Sequence, residues 1–149
     1  MRTINVKPVE IVGTCPVGLK LTDEFQIEGM RLSNPLNSAI CFLAVSQIPI
    51  GQGIWQVQSG KGFFSHVTCP GCISDLEREN RVVFLLGHAD KWQLCQTISE
   101  YVILRRKYGE PEAAVKLRDA AIEQQNRGDY SAAADTMKAA VKELLGDRA

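Results

Sequence analysis

The sequence lacks several features that would name a function at once. No apolar run reaches the roughly 18 to 20 residues of a membrane span, which excludes a spanning helix as an expectation. The first residues, Met1 to Pro8, contain no apolar core of a secretory leader, so a cytoplasmic location is the default expectation. Charge of one sign is also missing: 17 basic and 17 acidic side chains cancel. A duplex-binding protein usually carries a basic excess, so nucleic acid is not expected as a partner. There is no Gly-x-x-x-x-Gly-Lys-Ser/Thr phosphate loop, and Gly51-Gln52-Gly53 and Gly60-Lys61-Gly62 read as turns. Imidazole is scarce, with only His66 and His88. Acid/base catalysis therefore has few candidates. Asp23 and Glu24 are adjacent, and strand alternation sends them to opposite faces. The chain is thus expected to be something other than a catalytic subunit by itself.

What is present is enough apolar content, 45% of 149 residues, to bury a core. The composition changes near residue 89. Residues 1–89 hold 9 of the 12 glycines, 5 of the 6 prolines and 4 of the 5 cysteines. Residues 90–149 are rich in alanine and in alternating charges. Glycine and proline punctuate turns, whereas spaced apolar residues among charges indicate helices. The expected architecture is α+β: a small mixed sheet with a covering helix over 1–89. A C-terminal antiparallel helical hairpin or three-helix appendage follows over 90–149.

In the first part, Ile4, Val6, Val9 and Ile11 alternate as a strand whose register changes near Pro8. Leu19 to Ile27 reads as a second strand. Asn34-Pro35 reads as a helix start, with Leu36, Ile40, Leu43 and Ala44 on one face. Ile54–Val57 and Phe63–Val67 flank Ser59 to Gly62 as a hairpin, and Arg81 to Leu86 is a buried strand. In the second part, Asp90 to Gln93 has capping-box spacing. Leu94, Cys95, Ile98, Tyr101 and Val102 form a helical stripe that Gly109 ends. Pro111 opens a second helix and Gly128-Asp129 separates it from a third. Residues 114–147 resemble a single tetratricopeptide-like helical hairpin. One copy excludes a solenoid. The hairpin either packs on its own neighbour or offers a surface for a protein partner or self-association.

The five cysteines carry the chemistry. Cytosolic thiols are usually reduced, so a disulfide framework is not expected. Cys69-Pro70-Gly71-Cys72 has the two-residue spacing that lets one turn present two thiolates to one metal. Cys15, in another proline turn, is the best third ligand, and Cys41 is the fourth. His66 and Cys95 are alternates. Zinc and an iron–sulfur cluster both accept four thiolates. A redox dithiol at Cys69/Cys72 and inert burial of small apolar thiols are the other readings.

These segments resemble a family of small prokaryotic proteins of uncharacterised function. That family has a Cys-Pro-x-Gly-x-Lys segment running into Gly-Asp-x-Phe, then a central Leu-Cys-x-x-Ala helix. A late Cys-Pro element leads into a Val-Val-Phe-x-Leu strand. The matching residues here are Cys15-Pro16-Val17-Gly18-Leu19-Lys20, Asp23-Glu24-Phe25, Ile40 to Ala44, Cys69-Pro70 and Val82 to Leu86. The resemblance spans about residues 4–88. It implies that Cys15, Cys41 and Cys69 form a shared set, and it implies no reaction. Leu19 stands where the family has His, Thr22 where it has Gly, and Cys72 is an addition that could supply a replacement ligand. The resulting expectation is a small metal- or cluster-binding accessory protein. A metal-free interaction module with buried cysteines, or a small Cys/His-dependent enzyme, is the alternative.

Overall fold

The computed structural model describes residues 3–29, 31–41, 44–45, 64–69 and 80–148. The fold is α+β, and the chain forms two compact units, Met1–Asp90 and Lys91–Ala149.

The first unit is built on a five-stranded sheet. Its strands are β1 (Thr3–Val12), β2 (Phe25–Glu28), β3 (Arg31–Ser33), β4 (Phe64–Thr68) and β5 (Arg81–His88). Their order across the sheet is β3-β2-β1-β5-β4, and every described pairing is antiparallel. β1 lies at the centre although it contains Pro8, which has no N–H to give to a ladder. The ladder with β5 accommodates this by shifting register between Pro8 and Glu10. Central-strand prolines are confined to such bulges, and the alternation break read from the sequence falls at this point. β5 is buried from Val82 to His88. Ile4, Val6, Phe25, Val82, Phe84 and Leu86 form the core of one sheet face. Leu19 and Ala44 join that core, with Ile40 and Val45 packed against it.

Two local expectations are corrected. The strand expected from Leu19 begins only at Phe25. Residues 20–23 close a turn instead, in which Lys20 N–H donates to Asp23 Oδ2 at 2.7 Å and Asp23 N–H donates to Lys20 O at 3.0 Å. Leu21 is left exposed. The helix expected from Asn34 is also displaced. Asn34 Oδ1 accepts from Ser38 N–H at 2.9 Å, and its Nδ2 donates to Ser38 O at 2.8 Å. Asn37 is left-handed, at φ 49°. Asparagine side chains compete with the helix for backbone partners in this way. Leu36, expected on a buried face, is exposed, and helical structure is described at Ala44 and Val45. The hairpin partner at 54–57, its turn at 59–62 and Cys72 lie outside the described residues.

The second unit is three helices: α1 (Trp92–Tyr108), α2 (Glu112–Asn126) and α3 (Tyr130–Leu145). Short 3-10 turns precede α1 (Ala89–Lys91) and follow α3 (Gly146–Arg148). The capping box at Asp90 does not form. Asp90 lies in the 3-10 turn, Lys91 is the N-cap, and no side chain caps it. Gly109 ends α1 at φ 80°, its N–H returning to Arg105 O, a conformation open to glycine at little cost. Asp129 caps α3, accepting from Ala132 N–H at 3.2 Å. α3 packs on both α1 and α2. Tyr101, Ala114, Ala121, Met137, Ala140, Val141 and Leu144 form the core of this unit. The alanine stripes are therefore spent inside the unit, where their small side chains let the helices approach. No described helix is long and apolar enough to cross a membrane.

A candidate thiol site in the first unit

Three of the five cysteines, from separate parts of the chain, line one cavity. Cys15 follows β1, Cys41 precedes the helical residues Ala44 and Val45, and Cys69 follows β4. Leu19, Ala44 and Val82 supply apolar wall among the described residues, and Thr14, Pro16, Asn80 and Arg81 also line it. All three cysteines are half-buried thiols packed against the first core cluster. The cavity holds about 20 Å³, which is room for roughly one water-sized occupant.

Each cysteine is held locally by its backbone. Cys15 opens a turn closed by Gly18 N–H donating to Cys15 O at 2.9 Å. Asn80 pins that turn to the start of β5, its Oδ1 accepting from Thr14 N–H at 2.9 Å. Cys41 O accepts from Val45 N–H at 3.0 Å, the first helical hydrogen bond described there. Cys69 is tied to Val82 twice. Its N–H donates to Val82 O at 2.9 Å, and Val82 N–H donates to Cys69 Sγ at 3.0 Å. The second bond places a donor on the sulfur, a contact of the kind that tunes thiolate-ligated centres.

The other sequence candidates lie elsewhere. His66, on β4, pairs with Leu85, while its neighbour Val67 pairs with Phe84. Val67 packs against the core cluster, so strand alternation turns His66 to the opposite face. The His66 ring meets Phe64 edge-on at 6.2 Å. Cys95 is fully buried on α1, in the second unit. Neither lines the cavity. Cys72 lies outside the described residues. Among the described residues, no three His, Cys, Asp or Glu side chains form a group able to hold a metal ion as they stand. Asn80 and the Val82 backbone are the contributors that sequence reasoning missed. Asn80 reaches Thr14 across 66 positions, and nothing local signals that.

A second polar constellation lies in the helical unit. Tyr101 Oη donates to Glu110 Oε1 at 2.6 Å, and Arg118 Nη1 donates to the same oxygen. Burial, then the hydrogen bond to Glu110 and its negative charge, push the Tyr101 hydroxyl up to about 12. Through Glu110 the cluster clips the α1–α2 connection to Tyr101 of α1 and Arg118 of α2.

No family model, no curated protein and no solved structure matches this chain.

Proposed function

We propose that the first unit is a thiolate site for a soft metal and that the chain acts as a small metal-binding accessory protein. The observation that supports this reading is the convergence of Cys15, Cys41 and Cys69, 54 positions apart at the extremes, on one cavity. Its described lining carries no carboxylate and no imidazole. Thiolate donors favour soft ions over magnesium, calcium or manganese. Cys72 is the added thiol that would complete a four-ligand zinc site. The helical unit would contribute attachment to a protein partner or to a second copy. The resemblance over residues 4–88 supports the same cysteine set.

Metal analysis of the full chain purified without oxygen tests the reading. One equivalent of a thiophilic metal, lost in Cys15→Ser and Cys69→Ser variants that keep native circular dichroism, is the expected result. Iron with sulfide would transfer the reading to a cluster. Metal-free protein that takes up no thiophilic ion would overturn it in favour of a metal-free module, which the packing of the three thiols on the apolar core would then explain.

A further inference from the structure

We propose that Cys69 is a persulfide site. Its sulfur takes up one sulfane sulfur from a small persulfide, R–S–SH, and the cavity it shares with Cys15 and Cys41 houses the added atom. The inference goes beyond metal binding and needs no ion. The wall brings three thiols to one space, and the surface turned to that space is almost wholly carbon and sulfur. About 20 Å³ is open there, enough for at least one added atom beside a wall sulfur. A persulfide sulfur is weakly hydrogen-bonding and loses little on leaving water. The hydroxyl of a sulfenic acid, the other one-atom product of a thiol, loses more.

Cys69 is singled out by its contacts. Val82 N–H donates to its Sγ at 3.0 Å, and its own N–H donates to Val82 O at 2.9 Å. The pair fixes the main chain and holds a donor against the sulfur. Such a bond strengthens when its acceptor carries negative charge. The hydrogen bonds described at Cys15 and Cys41 fall on backbone oxygen instead. Loading is a sulfur transfer. The Cys69 thiolate attacks the outer sulfur of R–S–SH, a new S–S bond forms, and the old one breaks. R–S⁻ leaves and takes up a proton, which balances the one Cys69 gave up. No outside oxidant is consumed. Unloading is the same step onto a second thiol, with Cys69 leaving as the thiolate that the Val82 N–H already faces. Cys15 and Cys41 are acceptors on the same wall. The three sulfurs are not gathered as an ion-holding group, and the added atom extends the reach of Cys69 by an S–S bond of about 2 Å.

The test uses the full chain, anaerobic, reduced and stripped of metal by a chelator. Glutathione persulfide is the probe, and its excess is removed by gel filtration. Bound sulfur is read as thiocyanate after cyanide treatment, as the mass gain of one sulfur atom, and by peptide mapping. Wild type, Cys72→Ser, Cys69→Ser and Ala44→Val are compared, with circular dichroism as the control for folding. Wild type and Cys72→Ser should each carry one sulfane sulfur, on Cys69, with any remainder confined to Cys15 and Cys41. Cys69→Ser should fall to the level of a chain whose thiols are alkylated. Ala44→Val narrows the cavity and leaves every cysteine in place, so it should load less than wild type. In urea the same treatment should spread sulfur over all five cysteines. Sulfur found mainly on Cys72 or Cys95 of the folded chain, or spread as it is in urea, overturns the site. Full loading of folded Cys69→Ser, undiminished loading of folded Ala44→Val, or no loading of wild type also overturns it. The metal reading fails separately: a chain that takes up no metal yet loads Cys69 keeps this inference and loses that one, and a chain that binds metal without loading does the reverse.

Discussion

Val82 N–H donates to Cys69 Sγ at 3.0 Å, while Cys69 N–H donates to Val82 O at 2.9 Å. This reciprocal pair carries the β4–β5 ladder one residue past the last β4 position and seats a sulfur at the cavity wall. Cys69→Ala removes the acceptor and leaves the Val82 N–H without that partner. Folding stability should fall by about 1 kcal/mol, more than for Cys15→Ala on its exposed turn. Urea unfolding of the two variants, metal-free, checks the order.

Cys95 is fully buried on α1 and is not among the residues that line the cavity. Cys95→Ser should leave metal stoichiometry unchanged and lower stability by roughly 1 to 3 kcal/mol, because a hydroxyl replaces a small apolar group. Thermal unfolding together with metal analysis reads both parts. Loss of metal in a folded Cys95→Ser protein would place a ligand in the helical unit.

Tyr101 gives the chain an alkaline signature. Its hydroxyl is pushed up to about 12 in the fold, against about 10 in an unfolded chain. The protonated form is the one the fold favours. Its contribution is therefore complete below pH 10 and fades as pH rises to about 12, by roughly 2 kcal/mol. Tyr101→Phe cannot lose this contribution. It should be less stable than wild type by about 1 kcal/mol near neutrality, and that deficit should shrink above pH 10 and reverse sign as pH approaches 12. Paired urea titrations at stepped pH provide the measurement, and a pH-independent difference would contradict the assignment.

Ala140 is fully buried in the core of the three helices. Ala140→Leu should cost about 1 to 3 kcal/mol through overpacking, whereas Ala120→Leu, on an exposed position of α2, should change stability by less than about 0.5 kcal/mol. Equal effects at the two sites would contradict the packing.

Asp129→Ala should lower stability by about 1 kcal/mol, the usual cost of removing an N-cap acceptor. Asp129→Asn should recover most of it, since the amide oxygen can still accept from Ala132 N–H. Thermal unfolding of the pair separates capping from the charge of Asp129.

The helical unit was legible in the sequence because its determinants are local. Gly109 and Gly128 stand where the backbone turns to φ 80° and 82°, and the buried Ala133, Met137, Ala140 and Leu144 recur at helical spacing. Hydrogen bonds four residues apart make such a pattern readable from one segment. Pro8 announced the β1 register shift for an equally local reason, its missing N–H. Elsewhere, local signals misled. Asn34 and Pro35 have the residue types of a helix start, yet the Asn34 side chain found Ser38 and formed a closed loop. The choice between those outcomes lay in which backbone groups the side chain could reach, and residue type alone leaves that open. The candidate site shows the same division. The sequence by itself singled out Cys15, Cys41 and Cys69 through their neighbours and through a family resemblance. Only the tertiary structure put them on one wall and removed His66 and Cys95 from it. Sheet pairing did this: the antiparallel β4–β5 ladder sets Cys69 beside Val82, and the Asn80 bond to Thr14 draws the Cys15 turn to the same place. Those contacts join residues 13 and 66 positions apart, distances at which periodicity and propensity carry no information.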